Sequence, residues 1–395
     1  MSYAWLKGPQ DITVESRPME TGVLGPHDVW AHTIISALKI GTDRGNFQGP
    51  AEGADHFPGA PGYPRYVGDS NCALIKAVGS EVTHFKVGER IVTRWPHQSD
   101  YVFDERTGDA VDNFEYGTDP EDAEGGSAGA DGNDDNGNFG DLGGMLKVPT
   151  SVAAEDAVWA WLWTLSAQCY YKSLFRPGET VAVVGLGTLG MGCIALGKPL
   201  GARIIGIANS PLRADMAMNN GADATFLYSD PDLQQKISDF TAGDGVDLVI
   251  LTANPFPAHK TACEIVRNNG RVGIVALTGR GEPAPEFNPL DMNLFYAKGI
   301  SLVAITGPEG DLYPAMDERT PWDSGYPLVT GSKAGRFTME LIEKGRLMPS
   351  KIITHRLASR DIPQAYDLIY ERSKELLGCI FEWDTFAEPT SAAKL

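Results

Sequence analysis

Between Thr180 and Gly190 the chain reads Thr-Val-Ala-Val-Val-Gly-Leu-Gly-Thr-Leu-Gly. An unbroken apolar run ending on glycine predicts a strand covered on both faces, as in a parallel sheet. The glycines that follow form Gly-x-Gly-x-x-Gly, each with its own task. Gly185 makes the tight turn, Gly187 lets the backbone approach a pyrophosphate, and Gly190 lets the next helix pack close to the strand. The N-terminus of that helix, with its unsatisfied amides, attracts the phosphate charge. Gly185, Gly187, Thr188, Leu189 and Gly190 are therefore expected to hold a dinucleotide.

Strand and helix patterns alternate after residue 153: strands at 180–185 and 203–208, helices at 189–200 and 211–219, then a strand at 247–251, a helix at 258–268 and strands at 271–277 and 300–305. Such alternation indicates an α/β fold with a doubly wound parallel sheet of the Rossmann type. Residues 11–35 and 63–103 are rich in Val, Ile and Tyr with Gly and Pro between them, which predicts short strands and turns. The tail, 335–386, reads as helix, strand, helix, strand. The second nucleotide strand ends Ile205-Gly-Ile-Ala208-Asn209-Ser210-Pro-Leu-Arg213, with no carboxylate to bind ribose hydroxyls. Ser210-Pro211 predicts a helix N-cap, and Arg213 would lie in the first turn, beside a 2′-phosphate. The expected cofactor is NADP(H) rather than NAD(H), with Asn209 and Ser210 assisting Arg213 and with Ala276 completing the cofactor set.

Several stretches outside the glycine turn bear on the whole chain: Ile40-Gly41-Thr42-Asp43, then Ala77-Val-Gly79 through Gly88-Glu-Arg90-Ile-Val, Pro177-Gly178-Glu179-Thr180, Leu341-Ile-Glu-Lys-Gly345, and Ile352-Ile-Thr-His355. Across nearly its full length the chain resembles the medium-chain dehydrogenase/reductase family. The resemblance implies a GroES-like, β-rich catalytic domain over 1–152, a Rossmann domain over 153–334 and a return to the first domain over 335–395. It also implies an oxidoreductase that pairs as a homodimer, here through the strand at 300–305.

The family's zinc chemistry does not carry over. Zinc members read Cys-Gly-Thr-Asp where this chain has Ile40-Gly41-Thr42-Asp43, and their Gly-His-Glu falls on Gly68-Asp69-Ser70. Residues 73–168 contain no cysteine, so the four-cysteine lobe is missing as well. No metal is expected. A zinc-free branch, bacteriochlorophyllide a dehydrogenase-like proteins, is similar at Tyr63-Pro64, Gly68-x-Ser70-Asn71 and Pro96-His97-Gln98.

Hydride transfer to a carbonyl builds negative charge on oxygen, and without a Lewis acid a side chain must stabilise or protonate it. Thr42 matches the hydroxyl that touches substrate oxygen in zinc members. Lys39 and His97 are candidate proton donors. Asp69 could orient a donor or pair with Lys39, and Tyr66 is a weaker option. Trp159 and Trp163 share one helix face and Trp161 points away; core packing is the simpler reading, a pocket wall the other. The expected reaction converts a small alcohol or ketone. Reduction of an enone double bond, or cofactor binding without turnover, are the alternatives.

The net charge is −19, of which residues 104–143 supply −12 with thirteen acids and one base, Arg106. This stretch is expected to be a solvated acidic loop. Its Asp131-Gly-Asn133-Asp-Asp135-Asn136-Gly137 has calcium-loop composition, but its glycine falls one place late and Leu142 stands where the closing glutamate belongs. The acidic field disfavours nucleic acid. The cysteines, Cys72, Cys169, Cys193, Cys263 and Cys379, are scattered and odd in number, as in a reducing compartment. No apolar run reaches about 18 residues and no secretory signal opens the chain, so a soluble, cytoplasmic protein without a membrane partner is expected. The final Ala393-Lys394-Leu395 loosely resembles a peroxisomal address.

Overall fold

A computed structural model describes residues 1–19, 24–49, 62–108, 145–279, 285–305 and 331–383. Most of the acidic stretch, its calcium-loop-like piece and the terminal tripeptide lie outside the described residues.

The apolar run at Thr180–Val184 is an inner strand of a six-stranded sheet. The order across this sheet is Ala224–Leu227, Arg203–Ala208, Thr180–Val184, Val246–Leu251, Val266–Ile274 and Ser301–Ala304, with every pair parallel. Connections reverse direction on either side of Thr180–Val184. The crevice at that reversal, beyond the carboxyl ends of the strands, is where an open α/β sheet receives a ligand. The expected doubly wound sheet is thus present.

Two elements of this sheet escaped the sequence reading. Ala224–Leu227 is only half-buried along its length, and helix Leu233–Phe240 precedes the next strand. One boundary also moves. The helix expected over 258–268 runs Phe256–Ile265, and Val266 already belongs to the next strand, paired with Val246. Asn269, at φ 56°, and the Arg267–Asp247 ion pair at 2.7 Å shape this early entry.

Helix Ala160–Lys172 locks the sheet to the first half of the chain. Trp159 and Trp163 are wholly buried, as the core reading expects. Trp163 Nε1 donates to the Thr188 carbonyl at 3.3 Å, and Ser166 Oγ to that of Leu189 at 2.9 Å. Both hold the start of the helix that follows the glycine turn.

The second body of structure is antiparallel in the main. Asp28–Ala37 pairs with Asn71–Val78, Asp100–Asp104 and Gly378–Glu382 within a seven-stranded sheet. Gly378–Glu382 in turn pairs in parallel with Ile353–Ala358. The end of the chain therefore completes a sheet begun by its start. Ser2–Gly8, Asp11–Ser16 and Arg65–Tyr66 form a separate three-stranded sheet. The acidic stretch was expected to be solvated from residue 104, but Glu105 is buried, and its carboxylate accepts the amides of Thr83 and His84. No described helix is long and apolar enough to cross a membrane.

Candidate functional site

A cleft of about 1310 Å³ runs between the carboxyl ends of the parallel strands and the second sheet. The three motif glycines behave differently toward an added Cβ. At Gly185, φ is +99° and a Cβ would lie 2.8 Å from Ala253. At Gly190 it would lie 2.0 Å from the Gly185 carbonyl oxygen, so only glycine permits the helix to approach. At Gly187 a Cβ meets nothing within 4 Å and would project into the cleft. That open cradle at the N-terminus of helix Thr188–Leu200 fits a pyrophosphate. Thr188, Leu189 and Ala276 line the same cleft.

Further along the cleft, the second strand ends at Ala208, and Asn209 and Arg213 line the wall. Ser210 stands at the N-cap of helix Pro211–Asn219, as expected, but makes no capping bond; it is buried and does not line the cleft. Arg213 donates from Nη2 to the Leu376 carbonyl at 3.4 Å, while its Nε has no partner among the described residues. Burial lowers its pKa from the ordinary value. Three residues here escaped the sequence reading. Tyr228 is set beside the strand end by the hydrogen bond its backbone N–H donates to the Ala208 carbonyl at 2.8 Å, and Arg372 and Lys374 come from the returning chain. They became neighbours only through the return of residues 372–376 beside Arg213.

At the other end, helix Ile40–Gln48 places Lys39 at its N-cap. Asp43 Oδ2 reaches back to the Lys39 amide at 2.7 Å, and Tyr366 donates its hydroxyl to Asp43 Oδ1 at 2.9 Å. Burial, and then the neighbouring Asp69 charge, push Asp43 up to about 7. Lys39 Nζ meets Asp69 Oδ2 at 2.6 Å on the cleft wall. Burial lowers the Lys39 pKa, opposed by the Asp69 charge and assisted by that of Arg94. Gly68, at φ +89°, turns the chain into Asp69, and a Cβ there would lie 2.5 Å from the His97 ring beneath. Thr42 is exposed on the same wall, with Tyr66 nearby in the lining.

The structure does not bring His97 to the cleft wall. It is fully buried against Phe381, with Nδ1 2.9 Å from Ser36 Oγ, and burial pulls it down to about 4. A neutral, enclosed imidazole is poorly placed to deliver protons. Trp161, by contrast, joins Leu162 and Leu165 on the wall, so of the three tryptophans it alone matches the pocket reading.

A zinc centre does not fit this residue set. Ile40 offers no donor atom, the Asp69 carboxylate is engaged by an ammonium, and Ser70 Oγ donates to the Val158 carbonyl at 2.5 Å. Zinc takes several nitrogen, thiolate or carboxylate ligands together.

Residues 188–320 match the family model described as zinc-binding dehydrogenase. The chain is 30% identical over 206 residues to the NADP-dependent isopropanol dehydrogenase of Thermoanaerobacter brockii, covering 51% of each chain. It thus spans about half the length of that curated relative. It is 26% identical over 271 residues to an alcohol dehydrogenase of Geobacillus stearothermophilus, covering 66% of this chain and 74% of the other. Among solved structures, an alcohol dehydrogenase from Thermus sp. ATN1 superposes with a TM-score of 0.66 at 19% identity, over 97% of this chain and 100% of the other. The fold is therefore shared with that solved structure: a GroES-like, β-rich part and a Rossmann sheet.

Two outcomes follow from this geometry. Gly187→Val should keep the fold, because its Cβ meets no protein atom, and should weaken dinucleotide binding by tenfold or more, about 1.4 kcal/mol or above. Calorimetric titration with NADPH reads this, and unchanged affinity refutes the cradle. Asp43 has a folded pKa of about 7 against an ordinary value of 3.8. Between those values the folded chain holds a proton that the unfolded chain has released, so this group's contribution to stability falls as pH rises through the window. Asp43→Asn cannot ionise and should gain stability relative to the wild type between about pH 4 and pH 8. Urea midpoints at about pH 5 and pH 8 measure it; a pH-independent difference contradicts the assignment.

Proposed function

We propose that this chain is a medium-chain dehydrogenase/reductase, divided at 1–152, 153–334 and 335–395, that moves a hydride between NADP(H) and a small alcohol or ketone without zinc. The open cradle at Gly187, at the reversal point of a parallel sheet, is the observation that carries the reading. It faces Lys39, Thr42 and Asp69 across one continuous cleft.

The bound nicotinamide supplies or accepts the hydride, and the chain must manage the charge on oxygen. The Lys39 ammonium, held by Asp69, donates a hydrogen bond to the substrate oxygen and then its proton. Burial makes that proton easier to release, while Asp69 keeps the amine aimed. Thr42 offers its hydroxyl to the same oxygen. Trp161, Leu162 and Leu165 give the substrate an apolar wall.

NADP(H) is favoured because Ala208 and Asn209 put no carboxylate against a 2′-phosphate, while Arg213 faces the cleft. A phosphate would offset the desolvation that lowers the Arg213 pKa. Ser301–Ala304, the edge of the parallel sheet, has no partner on its outer side among the described residues, and Met292 and Tyr296 lie exposed in the segment before it. We read this edge as the homodimer contact.

Two measurements check the reading. Steady-state NADPH consumption with a panel of carbonyls and enones should show turnover of carbonyls that survives exhaustive treatment with a zinc chelator. Loss of activity on chelation, restored by zinc, contradicts the zinc-free mechanism; turnover of enones alone reassigns the reaction. Separately, Arg213→Ala should weaken NADPH by roughly 1.5–3 kcal/mol, about one to two decades, and leave NADH nearly unchanged. Equal weakening of both makes Arg213 structural.

A further inference from the structure

Three successive parallel strands deliver their carboxyl ends to one wall of the cleft. Thr180–Val184 leads into Gly185 and the open cradle. Its neighbour Arg203–Ala208 leads to Asn209 and Arg213, and Ala224–Leu227, the strand beyond, leads to Tyr228. Adjacent strands lie about 4.8 Å apart. Asn209, Arg213 and Tyr228 are thus set one and two strands away from the pyrophosphate cradle, on the side to which the adenosine of a dinucleotide extends.

The returning chain meets this group. Arg213 donates from Nη2 to the Leu376 carbonyl at 3.4 Å, which sets the segment before Leu376 beside the guanidinium. That segment reads Glu371-Arg372-Ser373-Lys374-Glu375, two acids and two bases. Its middle faces inward: Arg372, Ser373 and Lys374 line the cleft, and neither glutamate does. The turn that ends helix Ile362–Tyr370 makes this presentation. The Ser373 amide donates to the Leu368 carbonyl at 3.0 Å and the Arg372 amide to that of Ile369 at 3.3 Å, so the chain reverses through Arg372 at φ +57°. Glycine commonly fills this left-handed position at a helix C-terminus, and an arginine there is strained.

We propose that Arg372, with Lys374 assisting, is a specificity-determining contact to the 2′-phosphate of NADP(H), so that this phosphate is held between Arg213 of the parallel-sheet body and a guanidinium of the returning chain. The inference deepens the NADP(H) reading and rests on it. NAD(H) carries a ribose hydroxyl at that point and gives Arg372 no anion, so the contact separates the two cofactors. Guanidinium N–H donors match phosphate oxygens in pairs. Because Arg213 and Arg372 come from different bodies, the same phosphate also ties the two walls of the cleft together.

The test is calorimetric titration of the full chain with adenosine 2′,5′-bisphosphate and with 5′-AMP, which differ in the 2′-phosphate alone. The wild type should bind the bisphosphate roughly tenfold or more tightly. Arg372→Gly should cut that advantage by about threefold or more and leave 5′-AMP binding unaltered. Glycine takes the left-handed conformation without strain, so the thermal midpoint of this variant should hold or rise, which separates loss of the contact from loss of the fold. Arg372→Gln, which keeps the strain, should show the same loss of advantage, and Lys374→Gln a smaller one. An advantage undiminished in both Arg372 variants overturns the proposal, as does an equal loss of 5′-AMP binding. No advantage in the wild type would instead overturn the NADP(H) reading itself. An advantage lost in Arg213→Ala yet intact in Arg372→Gly leaves that reading standing and removes this inference alone.

Discussion

Asp43 is a carboxylate with almost no water around it, and it joins the two ends of the chain. One oxygen takes the Lys39 amide at the start of its own helix, and the other takes the Tyr366 hydroxyl from the returning segment. Removing either donor would leave a buried acceptor unsatisfied, at a cost of about 1–3 kcal/mol. The bond to Lys39 does more than cap a helix. It fixes the backbone from which the Lys39 side chain reaches the cleft, and the Tyr366 hydroxyl holds Asp43 for that task.

The Lys39–Asp69 pair depends on that frame. Lys39 is mostly buried while Asp69 keeps a quarter of its side chain exposed, so deleting Asp69 would strand a poorly solvated ammonium. In a purely structural setting an apolar pair would serve as well. In the proposed reaction the same pair sets a proton on the wall of the cleft. Arg94 shifts the same balance from the other side, lowering the Lys39 pKa.

The cleft is itself a consequence of topology. Strand Asp28–Ala37 pairs with strands from both early and late sequence, which closes one sheet and leaves the parallel sheet to form from the residues between. The two bodies meet where the parallel connections reverse, so the glycine cradle and the Lys39 corner face each other. Ser70 Oγ, bonded to the Val158 carbonyl, and Trp161 Nε1, bonded to that of Val92 at 3.3 Å, fasten the facing walls.

What could be read from the sequence alone was local. The strand–glycine–helix turn is legible because each glycine answers a constraint within a few residues, and the alternation of periods after residue 153 identifies a parallel sheet. The absent carboxylate at Ala208 and the pairing of Lys39 with Asp69 were also legible, the latter because a resemblance aligned both with one centre. Ala224–Leu227 was missed because a half-buried edge strand has no strong apolar signature. His97 could not be placed, because a histidine between Pro96 and Gln98 reads the same whether it faces a cleft or lies under the Gly68 turn. Arg65, Arg94, Arg372 and Lys374 are ordinary surface residues until the chain returns on itself. Their convergence on one cleft is a long-range fact, and charge acts through space rather than along the sequence, so only the tertiary structure decided which charges line the cleft.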